Sequence, residues 1–457
     1  MSATPRNAPP SVDVVIAGAG MAGAAAAVVF SELGLETLVV EPGLDSAKRL
    51  AGELIHPPGA TDLAALGLLD PLEKSGAAPI KGFCVFAGCD EGETQGYELP
   101  YAQVPGMRES GLGLDHVVLA GVLHRALEEL PHVAVWRGAR VTALDTRCPD
   151  AVTVTISADG EVARVSARLM VGADGGSSAI RRLTGIAAQR WRISTMLGYV
   201  LRGVGLPRPE FGNVFLDGPA PVLAYPVGAD TVRVMFDVPD NPEGTAATRV
   251  DARCLAGMPG DFAEHVRHAM VTQQPLVSHS HQVVPERVVA GRVVLLGDAA
   301  GCCHPLTATG LSVCTRDAWR LRDAVHERTG DIPAALRRYA AGREEPQRTR
   351  LALAEALYEI FLARTPEMRL LRQAVLRYWK SSPRACAASM ALLSTQEGRM
   401  SVMAWEYARV VGYALPGLFA LDGGGHLGSL GARSRAAVAL SRRTLRYAGA
   451  AWRAFQA

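Results

Sequence analysis

The 457-residue sequence predicts an α/β chain with a Rossmann-like dinucleotide-binding domain, an inserted β-sheet substrate domain and a helical C-terminal region. A β-branched run at residues 12–17 precedes a cluster of glycines, an alanine-rich helix at 22–33 and a second strand at 37–40. This order of strand, tight turn, helix and strand is typical of a parallel sheet. Residues 193–284 then read as short strands between Pro and Gly turns, and the pattern from Pro333 onward is helical.

The dinucleotide-binding domain is expected to be discontinuous, because its strands lie on both sides of the strand-rich insert. The expected bounds are 11–80, 109–185 and 286–335 for this domain, 81–108 and 186–285 for the β-rich substrate-binding domain, and 336–457 for the C-terminal region.

Composition excludes several classes of protein. The chain is 49% hydrophobic with a net charge of +2, which argues against disorder and gives no case for nucleic-acid binding. Its eight cysteines contain no C-x-x-C pair and no zinc-like set, so we expect neither a disulfide framework nor a metal site. The first ten residues lack the apolar core of a signal peptide. We therefore expect a cytoplasmic protein, either soluble or peripheral on the cytoplasmic face of a membrane.

The strongest motif is the G-A-G-M-A-G stretch at residues 18–23, which follows the first strand and opens the first helix. Gly18 permits the tight turn, Gly20 lets a pyrophosphate approach the backbone, and Gly23 lets the helix pack against the strand. A pyrophosphate is favoured at the helix N-terminus by free N–H groups and the helix dipole. Glu41 ends the second strand, where a carboxylate accepts hydrogen bonds from a ribose diol. The pattern predicts dinucleotide binding.

Three further blocks supply polar groups at strand ends and turns. In the R-L-A-G-E block, Arg49 is a candidate phosphate ligand. Asp174 ends a strand before a Gly/Ser turn whose amides suit phosphates, and Arg181 follows as a further phosphate fork. Asp298 ends another strand, where its carboxylate suits the hydroxyls of a ribityl chain, and a helix begins near Gly310. Together these blocks favour FAD over NAD as the resident dinucleotide.

In this order the blocks resemble the FAD-dependent monooxygenases of the aromatic-hydroxylase fold, and within that group the squalene epoxidase family. The motifs that carry the resemblance are G-A-G-x-x-G at Gly18, the acid Glu41, R-x-x-G-E at Arg49–Glu53, Leu66–Leu68, Pro219–Leu223, Gly297-Asp298, H-P-L-T at His304–Thr307 and the A-L-Y-E-x-F segment within Ala354–Phe361.

The resemblance implies a role for each candidate residue. Glu41 and Arg49 bind the AMP half and the phosphates of FAD, Val133 contacts adenine, and the Asp174 block serves both FAD and NAD(P)H. Asp298 holds the ribityl–pyrophosphate side, and Leu311 lies under the flavin ring through its backbone. The implied cofactor-binding residues are Gly18, Gly20, Met21, Ala22, Gly23, Glu41, Arg49, Val133, Asp174, Asp298, Gly310 and Leu311.

The expected substrate pocket and flavin environment differ from the family pattern. The implied pocket residues are His56, Phe83, Pro305, Leu306 and Thr307. Phe83 and His56 stand where the family has a Tyr and its hydrogen-bonding Gln, and Val118 stands where it has an Arg. H-P-L-T is followed by A-T-G instead of G-G-G. These differences favour a shift of substrate away from squalene.

The function implied is FAD-dependent monooxygenation, in which a flavin C4a-hydroperoxide epoxidises a C=C of a lipophilic isoprenoid with dioxygen. Electrons would come from NAD(P)H, directly or through a partner reductase. No catalytic side chain is assigned, because the flavin carries the chemistry. Three alternatives stay open: epoxidation or hydroxylation of a prenylated aromatic secondary metabolite, reduction of a prenyl chain, and a non-catalytic FAD-binding protein.

The C-terminal segment is strongly basic. After Asp422 the chain carries six Arg residues and no acid. Residues 436–455 are compatible with a helix that sets Leu445 and Trp452 among these arginines. Such a helix either lies on an anionic membrane surface or packs on its own protein with a solvated Arg face.

Overall fold

A computed structural model describes residues 10–43, 50–88, 94–240, 250–328, 330–419 and 430–456. It confirms the expected α/β fold class. The strands are β1 (Ser11–Ala17), β2 (Thr37–Glu41), β3 (Leu54–Ile55), β4 (Ala78–Ile80), β5 (Gly82–Gly88), β6 (Thr94–Pro100), β7 (Gly111–Gly113), β8 (Val133–Arg137), β9 (Ala139–Asp145), β10 (Val152–Ala158), β11 (Glu161–Gly172), β12 (Ala188–Arg202), β13 (Gly212–Phe215), β14 (Val222–Pro226), β15 (Thr231–Pro239), β16 (Leu276–Pro285), β17 (Val289–Ala290) and β18 (Val293–Leu295).

The helices alternate with strands in the first half of the chain and dominate after residue 310. They are α1 (Met21–Glu32), α2 (Pro57–Ala65), α3 (Leu69–Lys74), α4 (His116–Glu129), α5 (Ala179–Leu183), α6 (Gly260–Thr272), α7 (Gly310–Glu327), α8 (Ile332–Leu362), α9 (Pro366–Ser381), α10 (Pro383–Leu393), α11 (Met400–Phe419) and α12 (Leu430–Gln456). None of the helices in the described part of the chain is long and apolar enough to cross a bilayer.

The chain divides into two compact units. The first contains Met1–Ala77, Leu114–Ile193 and Ser280–Glu344, and the second contains Ala78–Gly113, Ser194–His279 and Glu345–Ala457. The domain bounds expected from the sequence stay a prediction. In this division, the C-terminal helical region from Glu345 onward belongs to the same unit as the inserted sheet.

The first unit is built on an eight-stranded sheet with β1 near its centre. β1 pairs in parallel with both β2 and β11, and β8 and β18 extend the parallel sheet on either side. α1 covers this sheet and is buried on every side, because the small side chains of Ala24–Ala27 let it approach its neighbours closely. Because these strands are parallel, the glycine turn after β1, Glu41 of β2 and the Asp298 block after β18 lie at the same edge of the sheet.

The second unit contains a seven-stranded sheet in the order β16-β12-β15-β14-β13-β5-β6. β12 and β15, β15 and β14, β14 and β13, and β5 and β6 pair antiparallel, whereas β13 and β5 pair in parallel. On β15, Val232, Val234 and Phe236 join an apolar core that includes Phe262 of α6. Further along the chain, Pro346 lies inside α8, two residues beyond the last residue of the first unit.

Candidate functional site

The glycine turn between β1 and α1 has the geometry that the motif predicts. Gly18 has a φ of +100°, and a Cβ there would lie 2.5 Å from the Ala173 carbonyl oxygen. A Cβ on Gly23 would lie 1.8 Å from the Gly18 carbonyl oxygen, so α1 packs directly on the turn. A Cβ on Gly20 would meet no atom within 4 Å. The backbone at Gly20 is therefore open to a ligand, whereas packing leaves no room for a side chain at Gly18 or Gly23.

The N-terminus of α1 can bind an anion. Gly20 caps the helix with extended backbone, no side chain caps it, and its first turn contains no acid. The first backbone N–H groups of any helix lack intrahelical partners, and the dipole there favours negative charge. Glu41 lies across this turn, where its Oε2 accepts a hydrogen bond from the Ala19 N–H at 2.7 Å. The turn thus combines donors for a phosphate with an acceptor for hydroxyl groups.

The Asp174 carboxylate caps a helix inside the protein. It accepts hydrogen bonds from the Ser178 hydroxyl and from the backbone N–H groups of Ala179 (2.6 Å) and Ile180 (3.1 Å) at the start of α5. This accounts for an Asp at the end of β11, because the first N–H groups of α5 need an acceptor. A contact between Asp174 and a cofactor stays a prediction.

Arg181 joins two loops instead of presenting a free fork to phosphate. Its side chain is buried, and it donates to the carbonyl oxygens of Gly176 (2.8 Å) and Ala299 (2.9 Å). Burial lowers the pKa of this guanidinium, and nearby Asp174 opposes that shift. The loop after β11 and the turn that carries Asp298 are therefore tied together by one side chain.

A buried ion pair holds the same turn from the other side. Gly297 donates its N–H to Oδ2 of Asp317 at 3.0 Å, and Arg343 donates to the same oxygen at 2.9 Å. Arg343 also donates to the Ala300 carbonyl oxygen at 3.0 Å. Both side chains of the pair are almost fully buried, whereas Asp298 itself is exposed. The turn is thus fixed by its backbone, and the Asp298 side chain is left at the surface of the unit.

The sequence analysis missed Asp317 and Arg343. Both lie on the helices that follow the Asp298 block, α7 and α8. The available signal was a pair of ionisable residues at positions where the surrounding helical pattern is apolar, since such groups are rarely buried unless they are paired. Sequence spacing alone does not show that the two helices bring them together.

The H-P-L-T block forms a short 3-10 helix, Pro305–Thr307. His304 caps it, because its Nδ1 accepts a hydrogen bond from the Leu306 N–H at 3.2 Å. His304, Leu306 and Thr307 are buried, while Pro305 is exposed. Ala308 ends this helix with a φ of +52°, in the left-handed region. The block is therefore a rigid turn that precedes α7.

His56 is packed against this turn. It is fully buried, and its Nε2 lies 2.9 Å from the Thr307 carbonyl oxygen. Its backbone N–H donates to the Ser312 hydroxyl at 3.1 Å. Burial lowers the pKa of His56 to about 4, so the ring is neutral at pH 7 and donates its Nε2 proton to Thr307. The structure thus brings together two of the predicted pocket residues, His56 and Thr307, that are far apart in sequence.

The other predicted site residues lie in separate places. Leu311 is the second residue of α7, and its side chain lies against Gly52, where a Cβ would be 3.0 Å from Leu311 Cγ. Gly310 begins the same helix, which no side chain caps. Val133 is half-buried on β8 opposite Thr37 of β2.

Phe83 belongs to the second unit and Arg49 cannot be placed. Phe83 is buried on β5, edge-on to Tyr101 with ring centroids 6.4 Å apart. Val118, which stands where the family pattern has an Arg, is 38% exposed on α4. Arg49 lies outside the described residues. In the part of the chain that the structure covers, no cluster of His, Cys, Asp and Glu could hold a metal ion.

The chain has the aromatic-hydroxylase fold, which is the fold of a class of FAD-dependent monooxygenases. The anhydrotetracycline hydroxylase from Streptomyces rimosus superposes with a TM-score of 0.65 at 23% identity, covering 85% of this chain and 77% of that one. The p-nitrophenol 4-monooxygenase from Pseudomonas putida gives a TM-score of 0.68 at 21% identity, covering 85% of this chain and 99% of that one. These similarities confirm the fold.

The family follows from the sequence. Residues 166–425 match the squalene epoxidase family, and the chain belongs to it. It is 28% identical to the squalene epoxidase of Aspergillus fumigatus over 397 residues, or 80% of this chain and 79% of the relative. It is 27% identical to the squalene monooxygenase of Mus musculus over 416 residues, or 88% of this chain and 71% of the relative. The prediction of an FAD-dependent monooxygenase that epoxidises an isoprenoid is confirmed at the level of the family.

Proposed function

We propose that this enzyme binds FAD at the glycine turn and uses NAD(P)H and dioxygen to epoxidise a C=C of a lipophilic isoprenoid. The observation that carries the proposal is the open backbone at Gly20 beside the uncapped N-terminus of α1, faced by the Glu41 carboxylate, in a chain of the squalene epoxidase family. These groups fit the pyrophosphate and ribose of FAD, because one end supplies N–H donors and the other an acceptor for hydroxyls.

When bound, FAD supplies the oxygen activation and electron transfer that no side chain can provide. The protein binds and orients it. The N-terminus of α1 holds the pyrophosphate, Glu41 holds the ribose of the AMP half, and the turn fixed by Arg181 and Arg343 presents Asp298 to the ribityl chain. Neutral His56 keeps the H-P-L-T turn in place through Thr307. A rigid turn of this kind would help to exclude water from the oxygen chemistry that bound FAD supplies.

One observation favours the second candidate, a substrate with a polar head group such as a prenylated aromatic secondary metabolite. On β15, Arg233 and Asp237 alternate with the apolar core residues, and their side chains are 2% and 3% exposed. Tyr358 of α8, from the A-L-Y-E-x-F segment, lies close to Asp237 and Ser194, and burial together with Asp237 raises the pKa of its phenol. A face lined by a buried carboxylate, a guanidinium and a phenol suits recognition of a polar group better than a bare hydrocarbon.

Labelled dioxygen tests the function. The purified protein is supplied with FAD, NADPH, labelled dioxygen and either squalene or a geranylgeranylated phenol. We expect one labelled oxygen atom in the product. A saturated, unlabelled product would identify a prenyl reductase, and failure to bind FAD would contradict the whole assignment. NADPH consumption by the protein alone shows direct reduction, whereas consumption only with an added flavoprotein reductase shows a partner.

Asp237→Asn tests the two substrate classes. If the polar face recognises a head group, the variant raises KM for the prenylated phenol and leaves squalene turnover unchanged. If the substrate is a pure hydrocarbon, KM changes for neither compound. Asp230→Asn is a suitable control, because Asp230 is exposed just before β15.

We also infer that α11 and α12 contact an anionic membrane surface from the cytoplasmic side. Along α12, Arg435, Val438, Arg442 and Leu445 are spaced by three or four residues and are all exposed, with Leu445 at 70%. This places basic and apolar side chains on one stripe of the helix, which is typical of interfacial binding. On α11, Trp405 is 65% exposed.

Vesicle sedimentation tests this contact. The protein should sediment with phosphatidylserine vesicles and much less with phosphatidylcholine vesicles, and Leu445→Glu should abolish the difference. Val271→Glu is the matched control, because Val271 is 82% exposed on α6, away from this stripe. Equal sedimentation of wild type and Leu445→Glu would contradict the proposal.

A further inference from the structure

His124 is a buried histidine beside the glycine turn, and none of the sequence motifs includes it. It lies on α4 with 5% of its surface exposed. The groups that act on its ring are the Ala19 backbone in the turn, Glu41 at the end of β2, Arg137 at the end of β8, and Glu128 on α4 itself. The ring is therefore placed at the end of the FAD site that binds the AMP half.

The Nε2 atom of His124 is buried and makes no hydrogen bond to any group that the structure describes. Native proteins rarely leave such an atom unsatisfied, because burial removes the water that would otherwise bond to it. A partner is therefore missing at this position. The place of the ring, next to Ala19 and Glu41, indicates that the partner belongs to the ligand of the turn.

The protonation of the ring decides which kind of group that partner is. Burial lowers the pKa of His124 more than Glu41 raises it, so the ring is neutral at pH 7. A neutral ring carries one proton and one lone pair, and the Ala19 backbone beside it favours a proton on the ring. With that proton on Nδ1, Nε2 presents a lone pair, which a hydroxyl donor satisfies and a phosphate oxygen does not.

We propose that Nε2 of His124 accepts a hydrogen bond from a ribose hydroxyl in the adenosine half of bound FAD, beside the Glu41 carboxylate. The inference rests on the proposed binding of FAD at the glycine turn. It makes His124 a cofactor-binding residue and adds a second acceptor to the ribose site. Protonation of the ring turns this acceptor into a donor, so acid weakens FAD binding.

The test is a double-mutant cycle between the protein and the ligand. Apoprotein is titrated at neutral pH, by flavin fluorescence, with FAD and with its 2′-deoxyadenosine and 3′-deoxyadenosine analogues. Wild type should lose about five- to tenfold in affinity for one of the analogues. His124→Phe should lose a similar factor for FAD and little more for that analogue. His124→Gln, which keeps an acceptor oxygen, should recover most of the affinity.

His132→Gln is the matched control, because His132 is exposed just before β8 and pairs with Glu36. Its FAD affinity should equal that of wild type. Unchanged FAD binding by His124→Phe would overturn the inference. It would also be overturned if His124→Phe lost as large a factor for the deoxy analogue as for FAD, because the mutation and the missing hydroxyl would then act independently. An analogue with hypoxanthine in place of adenine shows whether the adenine amine is the donor instead, which would also overturn it.

Two further outcomes are kept apart by this design. Wild type that binds no FAD contradicts the proposed function itself, whereas equal binding by wild type and His124→Phe contradicts only the role of His124. If His124→Phe does not fold, the pH dependence of FAD binding by the wild-type protein still tests the inference. Its affinity for FAD should fall in acid more steeply than its affinity for the critical deoxy analogue, and parallel pH profiles would overturn the inference.

Discussion

At the scale of single residues, two positions show how the protein uses strain and burial around the H-P-L-T turn. Ala308 has left-handed backbone, which disfavours any residue with a Cβ. His56 is a titratable side chain with no exposed surface. Ala308 has a steric cost and His56 a desolvation cost. Hydrogen bonds to the carbonyl oxygens of Pro305 and Thr307, respectively, hold the two residues in place.

Ala308→Gly should stabilise the protein. Glycine removes the steric cost of the left-handed conformation but adds freedom to the unfolded chain, and the balance favours glycine by about 1 kcal/mol. The free energy of unfolding in urea measures this. Ala308→Val should have the opposite sign, and equal stability of the Gly and Val variants would show that this backbone is not strained.

His56 should make stability depend on pH. Its pKa is about 4 in the folded protein and about 6.5 when unfolded, so between these values the unfolded chain binds more protons. The contribution of neutral His56 to the free energy of unfolding is fully present above pH 6.5. It is lost as the pH falls through 4, by about 3 kcal/mol in total. Urea unfolding across this range measures the slope. His56→Gln should flatten it, whereas substitution of the exposed His268 should leave it unchanged.

At the scale of elements, side chains from two helices, α5 and α8, bond to the turn that carries Asp298. Arg181 bonds to the Ala299 carbonyl oxygen, and Arg343 bonds to that of Ala300. Neither contact involves the side chain of Asp298. The position of the proposed ribityl acceptor is thus set by contacts to the backbone of its own turn.

Removing one member of the buried ion pair should destabilise the turn. Arg343→Met removes the nearer of two guanidinium groups at the buried Asp317 carboxylate and leaves Arg320, whose Nη1 lies 3.7 Å from Oδ1, so it should cost about 3 kcal/mol in the free energy of unfolding. Arg343→Met with Asp317→Asn should recover part of this loss, since the poorly compensated carboxylate is gone. A coupling energy near zero in this double-mutant cycle would show that the pair does not act as a unit.

The sequence predicted the strands, the glycine turn and the cofactor more fully than it predicted the contacts among the site residues. Gly18, Gly23 and Glu41 belong to a local pattern in which spacing determines geometry. Arg181 was expected to bind phosphate, because an exposed fork and a buried one look alike in a sequence. The pairing of Asp317 with Arg343 depends on how two distant helices pack, which no local spacing shows.

At the scale of the whole molecule, the chain contains two units, and the proposed FAD site is built from residues of the first. Each unit has its own sheet and its own buried cysteines. Cys314 is buried in the first unit, and Cys84 and Cys386 are buried in the second. Thiol labelling can therefore follow the unfolding of each unit separately.

FAD should stabilise the first unit more than the second. At a concentration about 100 times its Kd, a ligand that binds only the folded state adds about 2.7 kcal/mol. Labelling of Cys314 should therefore shift to higher urea when FAD is added, with a smaller shift for Cys84 and Cys386. FMN, which lacks the AMP half, is the control ligand. A shift confined to the second unit would contradict the proposed site.

Pro346 has a consequence for how α8 exchanges its amide hydrogens with solvent. A proline inside a helix has no N–H to donate, so the Gly342 carbonyl loses its usual partner. The gap in the hydrogen-bond ladder falls where the chain passes from the first unit to the second. Deuterium uptake along this one helix should therefore separate into two protection classes, with the amides before residue 346 protected by the first unit and those after it by the second.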